Sequence, residues 1–389
     1  MVLGNSLNKD CMENYFKDKQ FIIGEGRKTV FSTKNNVYQD GTTPVYRDVD
    51  GKLWAISGHS HAGEVAMFSG KSMRDMQYRY PIHTNFSIGK AGEAFNGMPY
   101  PEGVLSRGSI WPFGLYICPN THRFFAFFHN ETGWAGHGTA YDSFGLCQTP
   151  DLDSDFRHVG LMHSDDEGKT WSFDRWVLSG EQICCTKNYI PENANLIGQS
   201  VGRINLGSGD FSVYIEENGE YIYLFYNIIY VNIQTRIVED IDVFVARTRK
   251  RSDGVMGDFV KYYNGSFCEA GNFGKETPIV KGAWHAKVLK LKDKGIYVMT
   301  SSAVNPNTYH DPDNGKILIK REMQIHTSTD LVHWSKPIHL TKDGKAFGAH
   351  YCALYPDDEL HTFEVEGNKF ICQLGGNGID VTAYDIQFK

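Results

Sequence analysis

Asp40-Gly41-Thr42-Thr43-Pro44-Val45-Tyr46-Arg47-Asp48-Val49-Asp50-Gly51-Lys52-Leu53-Trp54-Ala55-Ile56-Ser57-Gly58 reads as one β-hairpin with a carboxylate just ahead of its first strand. A short apolar run leads to a turn with Asp50-Gly51 at its tip, and a second apolar run follows. Asp-Gly between β-rich runs is a strong hairpin signal, because both positions of the tightest hairpin turn need positive φ. The same pattern recurs. Phe211 to Tyr226 repeats it with Asn218-Gly219 as the turn and Asp210 immediately before the strand. Ala286 to Thr300 repeats it around Asp293-Lys294-Gly295, and Thr362 to Gln373 around Glu366-Gly367-Asn368. A recurring hairpin, twice opened by an acid, predicts blades around an axis with the acids pointing inward.

Taken in order, Met1 to Gln20 reads as an arm with one helical turn. Phe21-Ile22-Ile23 and Thr29-Val30-Phe31 are short β-runs. The first blade continues to a third strand at Val65 to Phe68. The second opens at Ser109 to Ile117, returns through Phe124 to Glu131, and adds Val159 to His163. The third has Asp242 to Arg247 as its third strand, and the fourth has Met323 to His326. The fifth opens at Tyr351 to Tyr355 and ends with Val381 to Phe388. First strands recur at longer intervals than the roughly 40 to 50 residues of minimal propeller blades, so long loops must decorate one face. Segments 80–108 and 132–157 are expected beside the pocket. The fifth blade lacks an outer strand, and the run around Val30 lacks a blade. Joining them closes the ring and protects both edges. The expected fold is therefore all-β, a five-bladed β-propeller closed by an N-terminal strand. The expected division is an arm and closing strand over 1–36 and a catalytic propeller over 37–389.

Composition agrees. The 389 residues are 41% apolar, 22% charged and 13% aromatic, with 40 Gly, which suits β-structure rich in turns. Ring faces also stack on sugar C–H surfaces. A net charge of −7 argues against a nucleic-acid partner. No run approaches the roughly 18 apolar residues of a membrane helix. Met1 to Lys19 has no signal-peptide core, so the expected location is cytoplasmic, or secreted with a leader removed. Of eight Cys, only Cys184 and Cys185 are close, and adjacent residues suit bridging poorly. Reduced, buried thiols are expected, and no spacing suggests zinc.

Ser164-Asp165-Asp166-Glu167-Gly168-Lys169-Thr170-Trp171 matches the Asp-box, S-x-D-x-G-x-T-W, at every defined position. Asp166 is expected to cap its own turn, Gly168 to supply the unusual φ, and Trp171 to drop between sheets. Ser328 to Trp334 is a degenerate copy. Both are read as features of the outer rim with no catalytic role.

On these residues the chain resembles the five-bladed β-propeller glycoside hydrolases, the arabinanase, β-xylosidase and fructosidase group. The resemblance covers about residues 37–389. It rests on the acid-then-hairpin opening at Asp40, on the equivalent Asp210 unit, and on Ser328 to Trp334, which looks like the group's S-x-D-L-x-x-W. Val245-Ala246-Arg247 followed by Gly254 to Gly265 looks like its substrate-side segments. The full Asp-box is shared with sialidases, although no sialidase arginine triad stands out. Trp111-Pro112-Phe113 stands where the group carries an Asp after Trp-Ala-Pro.

Glycosidic cleavage needs one carboxyl to protonate the leaving oxygen and a second to act as base or nucleophile. The resemblance makes Asp40 the base or nucleophile; a turn cap is the alternative. It makes Asp210 the acid that orients substrate and raises its neighbour's pKa, or a catalytic partner of Asp40; a cap in a Gly-rich turn is the alternative. Glu131 ends the apolar strand Phe124 to Phe128 inside His129-Asn130-Glu131 and is the candidate general acid. Trp111 and Trp134 are candidate stacking platforms. Arg107 and Arg247 could hydrogen-bond sugar hydroxyls or form surface ion pairs. His59, His285, His350 and Tyr351 are candidate substrate contacts. No cofactor is required; the resemblance admits a structural calcium ion in the axial channel, near His285. The expected activity is that of a glycosidase acting on an oligo- or polysaccharide. A non-catalytic carbohydrate-binding propeller and a sialidase-type hydrolase are the rivals.

Overall fold

Five antiparallel sheets stand around one axis, and the hairpins read from the sequence form their inner halves. The computed structural model describes residues 13–31, 37–60, 63–86, 109–131, 157–180, 203–205, 207–232, 237–305, 308–309, 319–376 and 380–389. Blade one consists of Val45–Arg47, Leu53–Ser57, Ala66–Gly70 and Gln77–Pro81. Blade two consists of Ser109–Ile117, Phe124–Glu131, Arg157–Ser164 and Thr170–Ser179. Blade three runs Gly209–Ile215, Tyr221–Asn232, Ile237–Arg249 and Val260–Tyr263, with Ser266–Ala270 beyond. Blade four runs Ala283–Leu291, Ile296–Val304, Ile319–Ser328 and Ile338–His339. Blade five runs Tyr351–Pro356, Lys369–Gly375 and Thr382–Phe388, and Phe21–Ile23 completes it.

Aromatic pairs hold neighbouring blades together. Trp54 meets Phe124 with ring centroids 5.2 Å apart, Phe127 meets Phe259 at 5.7 Å, Phe225 meets Trp334 at 6.2 Å, and Phe347 meets Tyr384 at 5.1 Å. Each such pair contributes about 0.5–1.5 kcal/mol beyond the area it buries.

The ring closes through the N-terminal segment, at a slightly earlier place than Val30. Phe21 to Ile23 pairs with Phe388 to Ile386, and Arg27 and Lys28 pair with Ala383 and Thr382. Thr29 and Phe31 only continue the ladder through Val381. The reason is where the aromatic anchors point. Phe16, which is buried, packs against Phe21 and Phe388, whereas Phe31 turns away onto Phe68 of blade one. The arm also reaches blade four, where Asn14 Nδ2 donates to the carbonyls of Ile325 and Lys336.

The turns differ in detail from the Asp-Gly expectation. At Asp50-Gly51 only Gly51 has positive φ, and Asp48 caps the loop by accepting the N–H groups of Asp50 and Lys52. Among the described residues, the turns with two successive positive-φ residues are Glu167-Gly168, Asn264-Gly265 and Asp343-Gly344. Asp166 accepts the N–H groups of Lys169 and Thr170, and Trp171 Nε1 donates to the Gly168 carbonyl. Asp330 caps the turn before Trp334 in the same way, with Leu331 at φ 68° where the first copy has Gly168 at 85°.

At the far end of the axis the innermost strands contribute a hub. Phe363 contacts Tyr46 of blade one and Tyr214 of blade three, and Lys287 of blade four lies over the rings of Phe363 and of Tyr355 in blade five. Tyr116 of blade two meets Tyr46.

Candidate active site

The opposite mouth is polar. Asp40 lies just ahead of blade one's innermost strand, Asp210 in that of blade three, Trp284 and His285 in that of blade four, and His350 and Tyr351 at the start of blade five's. The chain reaches this arrangement through unusual backbone. Gly41, with φ 155°, comes so close to Phe113 that an added Cβ would stand 2.1 Å from the ring. Gly207 and Gly209 are equally crowded, by the Arg157 backbone and the His129 ring. The Gly-Ser-Gly stretch therefore lets blades two and three approach.

Asp210 and His285 both adopt left-handed backbone, at φ 46° and 55°. Such residues store about 1–3 kcal/mol of strain each unless surroundings hold them. Both are held by a side chain that takes their N–H. His129 Nδ1 accepts from Asp210 at 2.9 Å, and Asn227 Oδ1 accepts from His285 at 2.9 Å. Asn227 also donates to the carbonyls of Asp242 and Ala283. With Nδ1 accepting, the ring N–H of His129 lies on Nε2.

The Asp210 carboxylate accepts the Trp284 indole N–H at 3.0 Å, and Arg157 Nε stands 3.8 Å from the same oxygen. The Asp40 carboxylate accepts the Tyr351 hydroxyl at 2.6 Å. Between the acids lies a run of rings. His350 stacks on Tyr351 with centroids 4.3 Å apart, His285 meets His350 through Nε2 atoms at 3.1 Å, and His285 Nδ1 is 4.0 Å from Asp210. Only one proton fits between the two Nε2 atoms, so the pair cannot donate from both. Burial, then the fields of His350, His129 and Arg157, push His285 well below the usual imidazole range.

Site residues expected from the sequence fall into three groups. Asp40, Asp210, His285, His350 and Tyr351 come together as described. His59 and Trp111 stack face to face at 5.3 Å, and Trp111 is 4% exposed with His129 against its face. Trp111 therefore serves as packing behind the Asp210 support, with little ring face left for a sugar. Glu131 is the last residue of its strand, in register with Ser109 and with Arg157, and so at the acid end of blade two; its side chain lies outside the described residues. Trp134 and Arg107 lie outside them too, as does most of 80–108 and 132–157. Arg247 sits at the other end of the blade, in register with Tyr223, with its guanidinium 4.1 Å from the ring centres of Tyr221 and Phe267. A cation sandwiched between two rings is a packing element, so Arg247 does not serve the acids.

Three residues of the site escaped the sequence reading as functional groups. Arg157 is 6% exposed and opens a largely buried strand, which is the signal that a buried acid must face it. His129 belongs to the polar trio that closes the strand ending at Glu131, which reads as a pocket wall, and Trp284 carries no such signal. The calcium expectation meets a poor donor set. Among the described residues, the groups beside His285 are the rings of Trp284, His350 and Tyr351 and the Asp210 carboxylate, whereas calcium takes six to eight oxygens.

The fold and the site together define a five-bladed propeller with two carboxylates held at one mouth of its axis. No protein-family model and no curated sequence matches the chain. Among solved structures it is similar to Zg3597, a family 117 glycoside hydrolase of Zobellia galactanivorans, at 10% identity and TM-score 0.52, covering 95% of this chain and 90% of that one. It also matches BT3683, a GH43 β-1,3-galactosidase, at 11% identity and TM-score 0.47 over 93% and 94% of the two chains. A third match is 1,3Gal43A, an exo-β-1,3-galactanase of Clostridium thermocellum, at 12% identity and TM-score 0.44 over 94% and 61%. The similarity to Zg3597 establishes the shared five-bladed fold.

Proposed function

We propose that the protein is a glycoside hydrolase whose reaction takes place at this mouth. The observation that carries the reading is that carboxylates from two different blades, Asp40 and Asp210, are each aimed by a dedicated donor, the Tyr351 hydroxyl and the Trp284 indole. Asp40 acts as base or nucleophile: Tyr351 fixes Oδ1, and Oδ2 is not hydrogen-bonded among the described residues. Asp210, held beside Arg157, orients substrate. Glu131 is the general acid, coming from the same end of blade two. The fold that the chain shares with a family 117 glycoside hydrolase agrees with this reading. The sugar is left open, so the first experiment is a screen against aryl arabinosides, xylosides and galactosides and against fructans. On a substrate so found, Glu131→Gln should spare activated aryl glycosides far more than natural linkages, because only the latter need a protonated leaving group. Equal loss on both would make Glu131 a binding residue. Sugar binding without turnover of any substrate would favour the non-catalytic reading.

A further inference from the structure

At the hub end, away from the acids, three metal-ligating side chains converge. Glu217, His361 and Glu364 each offer an atom within 4.8 Å of the others. Their setting is ordered. Glu217 Oε1 accepts the backbone N–H groups of Thr362, Phe363 and Glu364 at 2.8, 2.8 and 3.2 Å. His361 Nδ1 lies 3.1 Å from the Asp358 carboxylate. With its proton directed there, the ring presents the Nε2 lone pair inward, as carboxylate partners do for metal-binding histidines. Glu364 is 4% exposed, and its Oε2 has no hydrogen-bond partner among the described residues. Lys292 Nζ stands 3.9 Å from that oxygen and 3.2 Å from His361 Nε2, and is bound at 2.8 Å to Glu366. A buried carboxylate oxygen left without a donor is costly.

We propose that Glu217, His361 and Glu364 form a divalent-cation site that locks the segment around Phe363 across the closed end of the ring. Two carboxylates and one imidazole suit zinc or manganese, with water completing the shell. Lys292 competes for the same place. Its side chain is 40% exposed and already paired with the exposed Glu366, so it can swing out into solvent when a metal enters. The lock ties several blades together. Glu217 follows blade three's innermost strand, Thr362 accepts the Arg47 N–H of blade one, and Glu364 and Val365 pair in parallel with Lys290 and Leu291 of blade four.

The test strips the full-length protein with chelator and titrates it with zinc, manganese and calcium chlorides, following heat of binding, metal content and melting temperature. One zinc or manganese per chain is expected, with a melting temperature that rises with metal concentration. His361→Ala and Glu364→Gln should each weaken binding at least about tenfold, and Asp358→Asn about 10- to 100-fold. Lys292→Met should tighten it, a change of opposite sign that impaired folding cannot imitate. The proposal is overturned if no stoichiometric zinc or manganese binds, if binding survives both His361→Ala and Glu364→Gln, or if Lys292→Met leaves affinity unchanged or lower.

Discussion

His129 Nδ1 accepts the backbone N–H of Asp210 at 2.9 Å, so a side chain of blade two sets the backbone of an acid in blade three. The contact is part-buried and spans a blade boundary. His129→Leu removes the acceptor and leaves the N–H unsatisfied, at a cost of about 1–3 kcal/mol. Urea unfolding should show that loss, and turnover on an identified substrate should fall with it. Unchanged stability would mean that the left-handed conformation of Asp210 does not depend on His129.

Asp40→Asn keeps the size of the side chain but removes its basicity. Turnover should fall by at least about 100-fold, and by more for a nucleophile, while the melting temperature barely changes. Tyr351→Phe removes the hydroxyl that donates to Asp40, a hydrogen bond of about 0.5–1.5 kcal/mol or more. The expected loss is in kcat, with KM little affected. A Tyr351→Phe enzyme of full activity would show that Asp40 needs no positioning.

Gly41→Ala places a methyl group against Phe113 at a backbone conformation that L-residues rarely adopt. Overpacking of this kind costs about 1–3 kcal/mol. Because the strain falls next to Asp40, activity should drop further than the stability loss explains. Steady-state kinetics well below the melting temperature separates the two effects.

Stability should depend on pH on both sides of neutrality. Burial pushes His158 to about 3 and His326 to about 4 in the folded protein, from an ordinary 6.5. Between those values the unfolded chain binds more protons, so stability should fall as pH drops below about 6.5. Burial also pushes Lys287 down to about 7 from 10.5. Between those values the unfolded chain again binds more protons, so this lysine makes stability rise with pH above about 7. Past about pH 10 the buried tyrosines Tyr46, Tyr214 and Tyr355, all shifted upward by burial, reverse the trend. Lys287→Met should raise stability at pH 7 and flatten the alkaline rise. Urea midpoints from pH 4 to 10 measure both slopes; a Lys287→Met profile parallel to that of the unsubstituted protein would show that the lysine is not buried as a neutral amine.

The inner halves of the blades were legible because their strands are nearly all buried and read as apolar runs closed by Asp, Asn and Gly. Outer strands were not. Gln77 to Pro81 is half-exposed along its length and carries no comparable signal, and its last two residues fall in the segment expected to be a loop from Tyr80 onward. The closing strand was placed in the right segment but a few residues late, since Thr29-Val30-Phe31 and Phe21-Ile22-Ile23 are equally β-like and only the anchoring of Phe16 and Phe21 on Phe388 chooses between them.

By itself the sequence determined the repeat, the number of blades, and the two acids ahead of their hairpins, because these follow from local periodicity and from turn chemistry carried by neighbouring residues. Only the tertiary structure decided what supports those acids. Arg157, His129, Trp284 and Tyr351 are far from their partners in sequence and come from four different blade strands. Their pairing depends on how the blades pack around the axis, and no local pattern records that distance. The same holds for Trp111 and Arg247: both residue types suit a sugar site, and packing against His59 in one case and between Tyr221 and Phe267 in the other commits them to the framework.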